Sequence, residues 1–322
     1  MQSALALIGE DLKQVELQFK KDLQSDVPLI RKVGEYVLSS GGKRIRPALL
    51  LLSARLCGYS GSRSVPLASV VEFIHTATLL HDDVVDNAYL RRGNASANSL
   101  WGNEASVLVG DFLFSKSFSL MVADGDLEIL RVLSGATTII AEGEVLQLIC
   151  TSDLEMTEER YVEVIESKTA ILIAAACRAG AILGGATAEQ EEALGRFGMD
   201  LGIAFQLMDD TLDYIASEEQ FGKSIGHDLE EGKITLPLIH TLTCCTPVER
   251  ADIADIVDKE IFDPTDFDRV LGYVQRYGGI EYTIAAALTR INRSKSHLDC
   301  FSESPAKSAL MALADYTVNR NR

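Results

Sequence analysis

Six aspartates stand out because they occur in two short segments of otherwise apolar sequence. Each segment holds three of them within five residues: Asp82, Asp83 and Asp86 in LLHDDVVD, and Asp209, Asp210 and Asp213 in QLMDDTLD. On a helix, residues four apart lie on one face, about 6 Å from each other, so the outer aspartates of each segment project side by side. Like charges so placed repel, and hard divalent cations bound by oxygen ligands offset that cost. We therefore expect each segment to bind divalent cations.

A single acidic cluster of this kind is more often a solvated surface. Here the flanking residues are apolar: Leu79, Leu80, Val84 and Val85 around the first segment, and Phe205, Leu207, Met208 and Leu212 around the second. Two such segments on largely buried helices favour a cation site. On a helical wheel, His75 and Thr78 fall on the same strip as Asp82 and Asp86, so we expect a pocket with a charged mouth and an apolar depth.

Basic residues occur in a few tight clusters that could bind phosphate groups. They are Lys43, Arg44 and Arg46 in GGKRIRP, Arg91 and Arg92 in RRG, Lys168 beside Thr169, and Lys223 and Lys233 in the second half. Arginine and lysine bind phosphate through charge-assisted hydrogen bonds. Each cluster taken alone is typical of a solvated surface. Together with two acidic segments that suit cations, they indicate a diphosphate site bridged by Mg²⁺.

The elements that must position these residues are helices. No proline lies between Pro66 and Pro237, a stretch of 170 residues through which apolar residues recur with helical spacing. Such patterns cover roughly residues 104–122, 126–149, 157–184 and 189–215, and no alternating strand pattern persists. We predict an all-α fold of about twelve helices, in a single domain over residues 1–322.

Charge and composition narrow the possible functions. The formal net charge of −17 disfavours nucleic acid as a partner. The six cysteines show neither CxxC pairs nor zinc-like spacing, so we expect reduced thiols. The first residues lack the features of a secretory signal, and charged residues break the longest apolar stretches before the ~20 residues that a membrane span needs. We therefore expect a cytoplasmic protein without a transmembrane segment.

With both acidic segments in view, the sequence resembles the trans-isoprenyl (polyprenyl) diphosphate synthases. The blocks that carry the resemblance are GGKRIRP, FIHTATLLHDDVVDNAYLRRG, GNEASVLVGDFLF, AEGEVLQL, ESKTA, FQLMDDTLDY and GKITLPLI. Within that family they look closest to the bacterial octaprenyl enzymes that build the ubiquinone side chain. The resemblance implies a helical bundle around a deep central cavity. It also implies head-to-tail, all-trans condensation of isopentenyl diphosphate onto an allylic diphosphate, with farnesyl diphosphate as the primer.

The resemblance further implies a role for each candidate residue and a homodimeric assembly. Mg²⁺, about two to three ions per active site, would be held by Asp82, Asp86 and Asp209, with Asp83, Asp210 and Asp213 in support. Isopentenyl diphosphate would be bound by Lys43, Arg46, His75 and Arg92. The allylic diphosphate would face Arg91, Lys168, Thr169, Gln206, Lys223 and Lys233. Of these, Arg91 and Lys168 would also assist catalysis.

Product length is predicted from the residues just before the first acidic segment. In the family, a bulky residue four or five positions before it limits the cavity to a short product, and this chain has Thr78 and Ala77 there. The helical wheel aligns Thr78 with Asp82, whereas family behaviour favours Ala77. Because both residues are small, we expect a long product, and the resemblance implies a length of about eight isoprene units. A geranylgeranyl or a nonaprenyl product is the alternative.

Three other functions fit part of the pattern. A metal-dependent phosphohydrolase could use His75 and His81 beside Asp82, but such sites usually need more imidazole than the five histidines of this chain supply. A non-catalytic subunit of a heteromeric synthase would be indicated by missing aspartates or arginines, and both segments are intact. A head-to-head condensing enzyme or a terpene cyclase is the nearer rival. The GGKRIRP and RRG clusters, which suit a second diphosphate, count against a cyclase.

Overall fold

Helices dominate the computed structural model, which describes residues 5–215, 226–259 and 263–319. In those ranges the helices are α1 (Gly9–Asp22), α2 (Pro28–Ser39), α3 (Ile45–Leu56), α4 (Ser64–Val85), α5 (Ala97–Trp101), α6 (Asn103–Asp124), α7 (Leu127–Ile149), α8 (Glu158–Ile165), α9 (Ile171–Leu183), α10 (Ala188–Ile215), α11 (His227–Glu230), α12 (Leu236–Cys244), α13 (Pro247–Val257), α14 (Pro264–Arg276), α15 (Gly279–Ser296) and α16 (Pro305–Asn319). A hairpin of two antiparallel strands, β1 (Leu90–Arg91) and β2 (Asn94–Ala95), follows α4. The all-α prediction is confirmed. The described ranges hold sixteen helices rather than twelve, partly because α5 and α11 are single short turns.

The predicted helical patterns coincide with the long helices. Those at 104–122, 126–149 and 189–215 match α6, α7 and α10 to within two residues at each end. Local sequence explains the start of α7, where the Asp126 side chain accepts hydrogen bonds from two backbone N–H groups of the first turn. The apolar spacing and the caps therefore define these elements before tertiary packing is considered.

A π-helical turn, Glu166–Ala170, interrupts the helix predicted at 157–184. It separates α8 from α9 and carries Lys168 and Thr169. Such turns are rare and are frequent at functional sites. Helix α10 packs against the turn so closely that a Cβ on Gly202 would lie 2.5 Å from one of its Cα atoms. The turn therefore presents the ESKTA residues next to the helix that carries the second aspartate segment.

The core encloses α4 on two sides. A large cluster of buried side chains runs from Ile8 to Ala314 and includes Ile74 of α4. A smaller cluster covers the other side of the helix, where Phe73 stacks on Phe19 with ring centres 4.1 Å apart. Because both sides of α4 are buried, its C-terminal turn, which carries the first aspartate segment, is held in a fixed position.

Helices α6 and α7 expose much of their apolar surface. By length and composition they are the two helices of the described ranges that could cross a membrane, contrary to the expectation that charged residues break every such stretch. Only 33% of the most apolar part of α6 and 28% of that of α7 is buried, and Leu108, Val122 and Leu148 are more than half exposed. The same helices pack along α4 and α9. Exposed apolar faces of this extent mark interaction surfaces.

Candidate active site

The two aspartate segments lie at the C-terminal ends of α4 and α10, and the stretch around α11 connects them. Lys233, just after α11, has its Nζ 3.2 Å from Oδ2 of Asp86, the C-terminal cap of α4. At the other side, the backbone N–H groups of His227 and Asp228 donate to the carboxylate of Asp213 in the last turn of α10. The α11 stretch is thereby bonded to both segments.

The middle aspartate of the first segment is buried in an ion pair. Asp83 is 2% exposed, and Arg91 Nε donates to its Oδ1 at 2.5 Å. Burial raises the pKa of Asp83, and the Arg91 guanidinium acts in the opposite direction. The pair fixes the β1–β2 hairpin, with its two arginines, against the end of α4.

The middle aspartate of the second segment is buried among neutral donors. Asp210 is 4% exposed; Tyr161 donates its hydroxyl hydrogen to Oδ2, and Gln206 Nε2 donates to Oδ1 at 2.7 Å. Thr169 Oγ1 in turn donates to Gln206 Oε1 at 3.0 Å. Burial raises the pKa of Asp210 to about 6, although both hydrogen bonds lower it. This network orients the Gln206 amide and ties the second segment to the π turn.

Basic neighbours compensate the charge of Asp82 only in part. Burial raises its pKa, and Asp86 raises it further, while Lys168, Arg91 and Lys233 lower it. The carboxylate also lies in the last turn of α4, where the helix dipole disfavours an anion. A cation bound at this position would relieve both effects.

Arg46 and His75 lie at the centre of a second group of basic residues. Arg46 Nη1 is 3.0 Å from His75 Nε2, and burial, with the charges of Arg46 and Arg92, holds the pKa of His75 well below its usual range. The imidazole is therefore neutral, and Nε2 accepts the hydrogen bond. Burial lowers the pKa of Arg46 to about 10, while Asp82 and Asp209 both act to raise it. Both aspartate segments thus act electrostatically on the same arginine.

The GGKRIRP loop is clamped from two sides. Arg44, in the left-handed conformation with φ 50°, has its Nη1 2.9 Å from Oε1 of the buried Glu72 on α4. Arg92 of the hairpin donates to a backbone carbonyl of the glycine pair. Lys43 points elsewhere, with its Nζ 4.9 Å from the ring centre of Tyr316 on α16. Arg44 therefore anchors the loop, Arg46 reaches His75, and Lys43 lies against α16, away from the position expected of an isopentenyl diphosphate ligand.

Lys168 is engaged by a residue outside the predicted set. Its Nζ lies 2.8 Å from Oε2 of Glu144 on α7. A cavity of about 110 Å³ opens beside the pair, and its lining includes Gln147, Tyr161, Lys168, Thr169, Gln206, Asp210, Asp228 and Lys233. Four of these are residues predicted to face the allylic diphosphate.

The donor set fits Mg²⁺ that is shared with a substrate. In the part of the chain that the structure describes, no three histidine, cysteine, aspartate or glutamate side chains form a ready-made cation cage. Mg²⁺ does not need one, because it keeps several waters and is usually bound by one or two carboxylates plus substrate phosphates. Carboxylate oxygens at the ends of two helices, with cationic side chains beside them, are suited to that arrangement.

Most predicted residues occupy this region, and three need comment. Lys223 lies outside the described residues. Ala77 is fully buried in the cluster that contains Leu80, Val109 and Leu113, while Thr78 is half-buried and its Oγ1 donates to a backbone carbonyl at 2.8 Å. The roles of both residues in product length, and the role of each site residue, stay predictions.

The histidines do not support the phosphohydrolase alternative. His81 turns toward α6, with its Nε2 3.2 Å from the Val107 carbonyl oxygen and 3.4 Å from Asp111 Oδ1. His75 is held by Arg46. The two imidazoles are therefore directed to different partners, and among the described residues neither forms a hydrogen bond or ion pair with Asp82 that would make a His/Asp metal site.

Three residues of this region were not predicted. Glu144 carries a charge within an apolar helix, in the block AEGEVLQL, and that charge was the available signal. Glu72 is likewise a lone charge in the buried part of α4. Tyr161 has no signal in the sequence, because its hydroxyl is placed by the packing of α8 against α10.

Comparison with known proteins agrees with this geometry. The polyprenyl synthetase family model matches residues 27–274. The octaprenyl diphosphate synthase of Escherichia coli is 45% identical over 320 residues, which is 98% of each chain. Two crystal structures are also similar to this chain. A decaprenyl diphosphate synthase from Rhodobacter capsulatus is 42% identical to it in sequence, and a polyprenyl synthase from Caulobacter crescentus, complexed with calcium and isoprenyl diphosphate, is 40% identical. Their TM-scores are 0.94 and 0.96; the matches cover 99% and 100% of this chain and 98% of each relative. The chain therefore belongs to the polyprenyl synthetase family and is a trans-prenyltransferase.

Proposed function

We propose that this enzyme condenses isopentenyl diphosphate, head-to-tail and all-trans, onto farnesyl diphosphate until a long-chain product is formed. The observation that carries the proposal is the pairing of two aspartate segments, each with a buried middle aspartate, with two separate groups of basic side chains. One group surrounds Arg46, and the other surrounds Lys168. Two diphosphates need two such groups, one for each substrate.

We also propose that Asp82, Asp86 and Asp209 would hold Mg²⁺ at the allylic diphosphate, with about two to three ions per site. The support is the partly compensated charge of Asp82 and the oxygen-only donor set. The related Caulobacter crescentus enzyme was crystallised with calcium and isoprenyl diphosphate, another hard divalent cation beside a diphosphate. When bound, the cations would neutralise charge that develops on the leaving diphosphate.

Different side chains of the site would act on the allylic diphosphate and on isopentenyl diphosphate. The allylic C–O bond breaks with its electron pair on the diphosphate, where Lys168 and Arg91 supply positive charge that is already in place. Lys43, Arg46 and Arg92 would hold isopentenyl diphosphate so that its double bond meets the allylic carbon. The double-bond electrons form the new C–C bond, and the proton then lost passes to the departed diphosphate.

The product is proposed to be octaprenyl diphosphate, which would supply the side chain of ubiquinone. Helix α4 has 22 residues and extends over ~33 Å, and the residue one turn before Asp82 on the same strip of the helix is the small Thr78. Each added isoprene unit buries five carbons, which favours continued occupancy by about 4 kcal/mol. The octaprenyl diphosphate synthase of Escherichia coli is 45% identical and the decaprenyl diphosphate synthase of Rhodobacter capsulatus 42%, and product sizing distinguishes the two lengths.

A homodimer in the cytoplasm, built from one domain over residues 1–322, completes the proposal. The exposed apolar faces of α6 and α7 are suited to pack against a second copy, since they would otherwise lie in water. The main core cluster spans Ile8 to Ala314, which supports a single domain. Light scattering should give twice the mass of the chain, and Leu108→Glu, placed on the exposed face of α6, should reduce it.

One experiment tests the proposed reaction. The enzyme is incubated with labelled isopentenyl diphosphate, unlabelled farnesyl diphosphate and Mg²⁺, and the dephosphorylated products are sized. We expect products of about eight isoprene units and no products when EDTA replaces Mg²⁺. Release of inorganic phosphate or diphosphate without incorporation of labelled isoprene units would contradict the proposal.

A further inference from the structure

Glu144 brings a carboxylate to the side of the site that faces the allylic substrate. It lies on α7, and its Oε2 accepts a hydrogen bond from Lys168 Nζ at 2.8 Å. Both side chains are largely shielded from water, at 25% and 19% exposed. The pair therefore links α7 to the π turn where an ion pair is screened less than at the surface.

The backbone holds this pair together. Gly143 lies so close to the π turn that a Cβ at its position would be 2.9 Å from the backbone nitrogen of Lys168 and 2.8 Å from Ser167 Cβ. Only glycine allows α7 to approach the turn this closely. Glu144 and Lys168 are thus neighbours because two main chains touch, and not because two long side chains happen to meet.

Lys168 is shared between two carboxylates on different helices. Its charge lowers the pKa of Glu144 on α7 and also that of Asp82 on α4. Burial, together with the charges of Asp82 and Asp86, nevertheless raises the pKa of Glu144 to about 7. Lys168 therefore lies where it can interact with Glu144 and, at the same time, with an anion bound beside Asp82.

The second oxygen of Glu144 lacks a donor. In the described part of the chain, Oε1 is buried and accepts no hydrogen bond. Leaving a buried acceptor unsatisfied costs about 1–3 kcal/mol, so such atoms usually have a partner in the working state of a protein. The substrate complex can bring one, since the waters of a hydrated cation are strong donors.

We propose that Glu144 is a positioning residue of the allylic-diphosphate site: its Oε2 directs the Lys168 ammonium toward the diphosphate, and its Oε1 accepts a hydrogen bond from water that enters with the substrate and cation. This inference rests on the proposed function, because it takes Lys168 as a ligand of the allylic diphosphate. Glu144 acts through Lys168 and touches no reacting atom.

A double-mutant cycle tests the inference. Glu144→Gln, Lys168→Ala and the double variant are compared in kcat and in KM for each substrate. We expect Glu144→Gln to lower kcat/KM for the allylic diphosphate by about 10–100-fold and to leave KM for isopentenyl diphosphate unchanged, because only one of the two diphosphate sites loses its orientation. In the Lys168→Ala background, the same change should have less than about a threefold effect, since the residue it positions is absent.

The controls separate the inference from the proposed function. Glu142→Gln removes an exposed carboxylate two residues away on the same helix and should behave like the unmodified enzyme. Glu144→Ala is measured as well, so that the test can still be carried out if Glu144→Gln shows no cooperative melting transition and is therefore not folded. The inference would be overturned if the fold-changes in kcat/KM caused by the Glu144 and Lys168 substitutions multiplied in the double variant. It would also be overturned if Glu144→Gln had the same kinetics as Glu142→Gln. If Lys168→Ala alone kept full activity, the proposed role of Lys168 would fail, and the inference with it.

Discussion

The two aspartate segments look alike in sequence, yet the protein holds them in different ways. In both, the middle aspartate is buried, with Asp83 2% and Asp210 4% exposed. Asp83 is paired with a cation, Arg91, whereas Asp210 accepts hydrogen bonds from the neutral Tyr161 and Gln206. A carboxylate among neutral donors is harder to ionise, which agrees with a pKa of Asp210 raised by burial to about 6.

The difference links each segment to a different part of the site. Through Arg91, the first segment holds the hairpin that also carries Arg92. Through Gln206, the second segment holds Thr169 on the π turn. A repeated motif can therefore divide its work: the middle aspartate fixes a neighbouring element, and the proposed function assigns cation binding to Asp82, Asp86 and Asp209.

The largest expected effect is the loss of turnover when an outer aspartate of either segment is replaced, compared with replacement of an aspartate outside the site. Asp82→Ala or Asp209→Ala should lower turnover by ~10³-fold or more, because each removes a ligand of cations that stabilise the leaving diphosphate. Steady-state assays at saturating Mg²⁺ on folded protein measure it, with the exposed Asp299→Ala as the control. Turnover close to that of the control in either variant would break the two-segment account.

The two basic groups should give different kinetic defects. Arg46→Ala is expected to raise KM for isopentenyl diphosphate by about tenfold or more, since it removes binding of that substrate. Lys168→Ala should mainly lower turnover by about 10²-fold, because its charge acts where the C–O bond breaks. KM and kcat for both substrates distinguish the cases, and the same defect in both variants would contradict the division.

Product length should respond to the two small residues of α4 in unequal ways. Thr78→Phe is expected to shorten the product to about three or four isoprene units, because the half-buried side chain lies on the strip that leads down from Asp82. Ala77→Tyr must fit into a filled cluster and should cost about 1–3 kcal/mol of stability. Product sizing and thermal unfolding measure the two effects. Full-length product from active Thr78→Phe would place the limit elsewhere.

The smallest effect is a pH dependence of the metal-free protein. Burial raises the pKa of Glu144 from 4.5 to about 7. The folded state therefore binds an extra proton between those values, and stability falls as pH rises through this window, by at most about 3 kcal/mol. Glu144→Gln should flatten that part of the curve in EDTA, whereas Glu142→Gln should keep it. Denaturant unfolding at pH 4.5–7 gives the comparison, and an unchanged slope in Glu144→Gln would contradict it.

Much of this structure could be predicted from local sequence. Long apolar periodicities predicted the bounds of α6, α7 and α10, and both aspartate segments fall on helices, α4 and α10, as their spacing assumed. The π turn was not predictable, because the apolar pattern runs on through Glu166–Ala170 and the interruption depends on close packing with α7 and α10. The partners of the middle aspartates, such as Tyr161, are distant in sequence, so they are known only once the helices are packed.

The central claim is that both segments hold the same group of cations around a diphosphate. Calorimetric titration of Mg²⁺ into the enzyme with inorganic diphosphate tests it without turnover. We expect saturable binding that depends on diphosphate, and at least about tenfold weaker binding in both Asp82→Asn and Asp209→Asn, with Asp299→Asn unchanged. Binding of equal strength and stoichiometry in Asp82→Asn, Asp209→Asn and the unmodified enzyme would show that the aspartate segments do not hold the cations.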